Sequence, residues 1–230
     1  MREIVFDTET TGLDPSSGDR MVEIGCVEMV NRVPTGQTFH AYFNPERDMP
    51  AGAEAVHGLS AAFLSDKPLF RDGVEALLEF IADSPLVAHN AAFDFGFLNA
   101  ELSICEREAV CMSRMIDTVA IARKRHPGAK LSLDALCSRY GVDRSHRVKH
   151  GALLDAELLA QVYVELTGGR QIGLELAAET ASVEIADAAR TARTTAACRK
   201  HRGTCAAPGV YRQDRFAPLG HVTGSEIPHQ

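Results

Sequence analysis

The stretch FDTETTG, Phe6 to Gly12, follows the apolar run Ile4-Val5-Phe6 with acids at alternate positions, Asp7 and Glu9. On a strand, residues i and i+2 point to one face, so the two carboxylates project together. Carboxylates that share a site repel, and one holds its proton unless a cation lies between them. A hard divalent ion resolves that conflict. A lone D-x-E at a strand end is ordinarily a solvated fray, so the weight falls on the acids elsewhere. Asp94, in VAHNAAFDFGFL, is flanked by Phe93, Phe95 and Phe97 at the start of an apolar helix that follows a buried strand. An acid there balances the helix dipole, yet in aromatic company at a strand-to-helix junction it is also a good ligand for a metal or a water. His89 and Asn90, in the turn before it, read as bonding the backbone. Asp155, in HGALLDAELLAQVYVEL, lies between Leu154 and Leu158 on an apolar side, where an unpaired charge is costly.

His150 stands five residues before Asp155. In a regular helix that separation turns the two about 140° apart, so they reach one site only if His150 belongs to the loop before the helix, which Gly151 permits. A histidine beside a metal-binding acid suits a general base, because imidazole exchanges its proton near neutrality.

The elements that must carry these residues follow from periodicity. Apolar or alternating runs predict strands at about Glu3–Asp7, Val22–Val30, Thr38–Phe43 and Leu86–His89, with turn signals at Gly12, Asp14-Pro15 and Pro34-Thr35-Gly36. The first three form an antiparallel meander. Helical spacing then takes over at Val74, Leu77, Leu78 and Ile81, at Phe93, Phe97 and Leu98, and at Leu153, Leu154, Leu158, Leu159 and Val162. Ser132 caps a helix through LSLDALCSRYG, with Asp134 in its first turn and Gly141 as its stop. Strands first and strand-helix units later predict an α/β domain with a mixed sheet.

The 230 residues are 45% hydrophobic and 24% charged, a soluble globular balance with no run long enough to span a bilayer. The N-terminus has acids where a signal peptide needs an apolar stretch, so a cytoplasmic location is the default expectation. The six cysteines show no C-x-x-C spacing and read as buried thiols in a reducing compartment. Net charge is −7, which argues against binding nucleic acid through a broad basic surface. Residues 1–176 hold 17 Lys or Arg against 26 Asp or Glu, and residues 177–230 hold 7 against 5. The acidic part carries the motifs, so it needs cations to approach a polyanion. The cluster Arg123, Lys124, Arg125, with Arg144, Arg147 and Lys149 before His150, can steer phosphates or form a solvated helix end.

Together FDTETTG, VHGL with His57, HNAAFDFGFL and HGALLDAELLAQVYVELTGG resemble the DEDDh group of exonucleases, and within it the proofreading subunits of bacterial replicative DNA polymerases. The resemblance covers about Met1 to Gly169. It implies a ribonuclease H-like fold, α/β with a five-stranded mixed sheet flanked by helices. It implies 3′ to 5′ hydrolysis of a DNA 3′ end using two divalent ions, Mg²⁺ or Mn²⁺, with release of nucleoside monophosphates. By the same resemblance, Asp7, Glu9, Asp94 and Asp155 are the metal-binding carboxylates and His150 is the base. Asp7 would bridge the ions, Glu9 and Asp155 would hold the water-bearing one, and Asp94 would act through the second. Asp7, Glu9 and Asp155 would also meet the substrate, as would Thr10, Thr11 and His57 in a loop after the third strand. One departure is Gly52, where the family often carries an acid five positions before that histidine; Glu54 is nearby. A ribonuclease T or oligoribonuclease type of RNA-processing exonuclease is the same-class alternative, and a catalytically silent adaptor of a polymerase is the different-class one.

Beyond Thr167-Gly168-Gly169, the segment 170–176 contains QIGLEL, which resembles the short peptide by which replication proteins dock on a sliding clamp. Gln171, Leu174 and Leu176 would be its anchors. Residues 177–230 read as a flexible or partner-dependent tail. In the family this region binds the polymerase catalytic subunit, but here it carries no pattern of that role; a diverged tail and a reading-frame change both fit.

Overall fold

The computed structural model describes residues 1–145 and 149–169. Arg147, the peptide anchored by Gln171, Leu174 and Leu176, and the tail 177–230 lie outside the described residues. Five strands form one mixed sheet in the order β3-β2-β1-β4-β5. They are β1 (Arg2–Thr10), β2 (Met21–Val30), β3 (Val33–Tyr42), β4 (Leu86–Ala88) and β5 (Met115–Asp117). The first three make the expected antiparallel meander, and β4 and β5 run parallel to β1. The helices are α1 (Ala51–His57), α2 (Ala61–Leu64), α3 (Phe70–Ile81), α4 (Ala91–Ile104), α5 (Thr118–Arg125), α6 (Leu133–Tyr140) and α7 (Ala152–Leu166).

Side chains alternate across β1 into two different cores. Ile4 and Phe6 pack with Phe95, Phe97 and Leu98 of α4 and with Val74, Leu77 and Ile81 of α3. Val5 turns the other way, onto Ala156, Leu159, Ala160 and Tyr163 of α7. Asp7 and Glu9 continue the Val5 series, so the alternation that builds the core also aims both acids at α7. Two polar ties hold the layers to the sheet. The Tyr163 hydroxyl donates to Glu3 at 2.8 Å, and burial, helped by that carboxylate, pushes the phenol up to about 12. Arg20 grips the buried Glu101 of α4 through two bonds of 2.8 Å, and the Met21 N–H donates to the same carboxylate at 3.1 Å.

Several boundaries differ from expectation. The first strand runs through Thr10, so Asp7 and Glu9 lie inside β1, with a register shift against β2 only between Glu9 and Thr10. β3 begins at Val33 rather than Thr38, because the hairpin turns tightly on Asn31 and Arg32 in left-handed conformations. The fifth strand, only three residues long, is too short to show a period. His57 ends α1 instead of lying in a loop, and Gly58 at φ 80° stops that helix. Of the described cysteines, Cys26 and Cys137 are buried, Cys105 is half-buried and Cys111 is exposed, which corrects the buried reading for the last. Ser132 caps α6 and Gly141 ends it, as expected.

β2 and α7 approach so closely that no side chain fits between them at Gly25. A methyl group on Gly25 would stand 2.2 Å from the Leu153 nitrogen and 2.4 Å from the Ala152 carbonyl carbon. Gly25 pairs with Asp7 across the β1–β2 ladder, so the first turn of α7 rests beside the first acid. Gly25→Ala must therefore push α7 away from β1. We expect a loss of about 2 kcal/mol in unfolding free energy, read by thermal melting. The hydrolysis that the resemblance implies should fall further than the unfolded fraction explains at a temperature where the variant is folded.

Candidate active site

The C-terminal ends of β1 and β4 open into a cleft of about 260 Å³, walled by α4, α6 and α7. Asp7, Thr8 and Glu9 form its floor, Phe93 and Asp94 come from α4, and Asp155 from the first turn of α7. Open α/β sheets commonly bind ligands at such strand ends. His89, Ser132, Leu133 and Asp134 complete the wall. The last three start α6, and their place here was not foreseen: a capped helix start is visible in sequence, but the surface it faces is not.

Asp94 reaches the cleft from the layer opposite to α7. Asn90, left-handed at φ 66°, turns the chain from β4 into α4, and its N–H donates to Asp117 at 3.1 Å. The Thr8 hydroxyl then donates to Asp94 at 2.7 Å. Burial pushes the Asp94 carboxyl up to about 7, against the Thr8 bond, which lowers it. His89 bonds the Thr118 side chain at 2.9 Å rather than only backbone.

On the α7 side, Gly151 is extended and precedes the helix, so His150 lies outside it, as the spacing requires. Its Nδ1 lies 3.1 Å from an Asp155 carboxylate oxygen; the His150 side chain is 47% exposed and that of Asp155 only 4%. Ligand atoms of Glu9, His150 and Asp155 all lie within 4.8 Å of one another. Two segments far apart in sequence, the end of β1 and the start of α7 with the loop before it, thus bring three ligand groups close enough to share one cation. The donors are chiefly carboxylate oxygens, which fits a hard ion such as Mg²⁺ or Mn²⁺. The raised Asp94 carboxyl fits as well, since it is an acid buried in want of positive charge.

Not every expected residue joins the cleft. Thr10 and Thr11 are buried beside it. The Thr10 hydroxyl donates to the Gly12 carbonyl at 2.6 Å, and the Thr11 N–H is committed to the Arg20 carbonyl at 2.9 Å. His57 is buried at the end of α1; Nδ1 accepts from the Leu59 N–H at 3.0 Å and Nε2 makes no hydrogen bond. Burial holds this imidazole below its usual range, opposed by the Thr10 carbonyl and the charges of Glu23 and Glu54. Of the basic cluster, Arg125 caps the Leu166 carbonyl at 2.9 Å and Arg144 pairs with Asp134 at 2.9 Å.

A family model described as Exonuclease (RNase_T) matches residues 4–163. The DNA polymerase III subunit epsilon of Rickettsia felis is 58% identical over 179 residues, covering 76% of this chain and 78% of the relative. The subunit of the same name from Escherichia coli K12 is 46% identical over 176 residues, covering 74% and 72%. Among solved structures, exonuclease X in complex with 5′ overhanging duplex DNA superposes with a TM-score of 0.55 at 25% identity, covering 72% of this chain and 90% of that one. The nuclease domain of 3′hExo, a DEDDh family member bound to rAMP, gives 0.63 at 16% identity, covering 72% and 91%, and supports the ribonuclease H-like fold.

The raised Asp94 carboxyl sets a pH dependence in protein stripped of divalent ions. The folded state keeps this proton up to about 7, whereas an unfolded Asp loses it near 4. Stability from this group is therefore full below about pH 4 and is lost as pH rises through 7. Melting with a chelator should show that decline, Asp94→Asn should remove it, and Mg²⁺ should raise the midpoint more at pH 7.5 than at pH 5.

Proposed function

We infer the function from one premise: the chain belongs to the exonuclease family matched above, as a relative of the epsilon subunits of bacterial DNA polymerase III. It is a 3′–5′ exonuclease that removes mispaired 3′-terminal nucleotides, the proofreading activity of a replicative polymerase. The observation that carries the reading at the level of the site is the meeting of Glu9, His150 and Asp155 within 4.8 Å, in one cleft with Asp7 and Asp94.

Asp7, Glu9, Asp94 and Asp155 would hold two divalent ions, Mg²⁺ or Mn²⁺. When bound, these supply Lewis-acid assistance to the attacking water and neutralise charge at the leaving 3′ oxygen. His150 takes the proton from that water. The Nδ1 contact with Asp155 at 3.1 Å supports this role, because an Nδ1–H donated to a carboxylate leaves the Nε2 lone pair as the base. Asp155 thereby orients the base as well as serving the ions. His150 stands on the solvent side of the acids, where a water can be presented to it.

On the substrate side, Thr10 ends β1, Thr11 follows it and His57 ends α1. The Thr10 hydroxyl would turn from the Gly12 carbonyl to reach a terminal nucleotide, and the buried His57 offers an Nε2–H in search of an acceptor. Residues 1–169 would form the nuclease unit. Gln171, Leu174 and Leu176 would dock it on the sliding clamp, and the tail 177–230 would bind the polymerase catalytic subunit. Among the described residues no helix is long and apolar enough to cross a membrane, and the work would take place on DNA in the cytoplasm.

Four measurements test this assignment. With Mg²⁺, a 3′-mispaired DNA end should be trimmed faster than short RNA; the reverse order would favour an RNA-processing enzyme. Asp7→Ala should lower the rate by a factor of at least about 10³ without moving the melting point, and an unchanged rate would revive the silent adaptor. Gln171→Ala with Leu174→Ala should weaken clamp binding and leave turnover of a free oligonucleotide intact, while loss of both would make the segment part of the fold. For the tail, a pull-down in which removal of residues 177–230 leaves polymerase binding intact refutes that docking.

A further inference from the structure

Thr8 is a polar residue at an apolar place. Ile4 and Phe6, before it on the same face of β1, belong to the core shared with α3 and α4, and so does Ile24, the partner of Thr8 across the β1–β2 ladder. Alternate residues and ladder partners share a face. A valine would therefore suit position 8, and a buried hydroxyl there needs an acceptor. It finds one 86 residues away: the Thr8 hydroxyl donates to Oδ1 of Asp94 at 2.7 Å. Both ends of this bond are buried, Thr8 at 6% exposure and Asp94 at 3%.

The apolar contacts nearby fix the backbone of α4 but not this carboxylate. Phe95, next to Asp94, meets Phe6 edge to face with ring centres 5.7 Å apart, which sets where the first turn of α4 lies on β1. Asp94 can still turn about its own torsions. It has a competing use at the helix start, where Asn90 makes no side-chain cap bond. The Thr8 bond removes that freedom, because holding Oδ1 fixes the plane of the carboxylate and with it the direction of Oδ2. The donor is itself rigid: threonine is stiff at χ1, and β1 is paired with β2 along its whole length. Thr8 and Asp94 both line the cleft that holds Asp7, Glu9 and Asp155. The backbone N–H groups of Thr8 and Asp94 act on the same carboxylate, and only the hydroxyl can be removed by changing a side chain.

We propose that Thr8 is a positioning residue for divalent-ion binding: its hydroxyl holds the Asp94 carboxylate in the orientation in which it acts together with Asp7, Glu9 and Asp155. Thr8 works through Asp94 and ligates nothing itself. The inference rests on the reading of Asp94 as an ion-binding acid. Donors that orient a metal ligand in this way typically contribute a factor of about 10 to 100 in metal affinity. A tie that only fastened α4 to β1 would contribute to folding alone.

The test compares Thr8→Val, which keeps the shape and removes the hydroxyl, with Thr8→Ser, which keeps the hydroxyl. Mg²⁺ binding to metal-stripped protein is read by calorimetry and by the rise of the melting midpoint, and the Mg²⁺ concentration for half-maximal hydrolysis of a single-stranded DNA oligonucleotide is read beside them. Thr8→Val is expected to weaken Mg²⁺ binding about tenfold, with rate recovered as Mg²⁺ is raised, and Thr8→Ser to stay within about twofold of wild type. In an Asp94→Asn background Thr8→Val should change Mg²⁺ binding no further. Wild-type Mg²⁺ binding in Thr8→Val, even with a lowered melting point, would make the bond a fold tie and overturn the proposal. So would a Thr8→Ser variant as weak as Thr8→Val, or a further loss on the Asp94→Asn background. Wild-type protein that neither binds Mg²⁺ nor hydrolyses DNA with it would instead overturn the functional reading, and this inference with it. Should Thr8→Val fail to fold, Thr8→Ala takes its place and is judged by the same outcomes.

Discussion

The approach of α7 to β2 over Gly25 is the contact on which the rest of the site depends. A strand normally presents a side chain every second residue to the layer above it, and that holds a helix about 10 Å away. At Gly25 there is none, and the backbone of Ala152 and Leu153 occupies the place where a Cβ would be. Because Gly25 is the partner of Asp7, the helix comes down where the acids of the cleft begin. Asp155, three residues after Ala152, then shares a cleft with Asp7 and Glu9. His150, just ahead of the helix, is delivered to the same spot by the extended Gly151. One missing side chain thus decides whether four chemical groups meet.

The same approach makes the electrostatics severe. Glu9, Asp94 and Asp155 are all buried, and burial of like charges costs free energy that apolar packing must offset. The sheet spreads the cost between its two sides. Asp7, Glu9 and Asp155 belong to the α7 layer, while Asp94 comes from the α4 layer and is met by the Thr8 hydroxyl at 2.7 Å. Each layer is secured to the strands at a distance from the cleft, through Tyr163 on Glu3 and through Arg20 on Glu101. A substitution in either tie would therefore disturb the site without touching it.

Much of this was legible in sequence, for a definable reason. Asp7, Glu9, Asp94, His150 and Asp155 are acids or a histidine set against apolar periodicity, and a polar residue in an apolar series is a signal that a single chain displays. The prediction that His150 must precede its helix needed only the helical repeat. What escaped were features with no local period: the three-residue β5, the helix that ends in His57, and the α6 start that forms a cleft wall. Gly25 escaped for another reason. In VEIGC it reads as an ordinary strand glycine, and its purpose exists only relative to a helix about 130 residues later. Cys111 was misjudged because exposure at a loop has no signature in residue type.

The distribution of rigidity across the site follows the demands of the chemistry. In the proposed mechanism the groups that would hold ions must keep a fixed spacing, and Asp7 and Glu9 lie on a strand paired on one side by β2 and on the other by β4, while Asp94 and Asp155 lie in first turns of long helices. A general base has the opposite requirement, since it must accept a proton, surrender it to solvent and return. His150 is the one member of the set outside every helix and strand, and its side chain is about half exposed while its partner Asp155 is buried. A base so placed, at the edge of a rigid carboxylate frame, would be able to exchange protons with water. Three of the four acids, Glu9, Asp94 and Asp155, are buried, where a charge acts most strongly on whatever is bound.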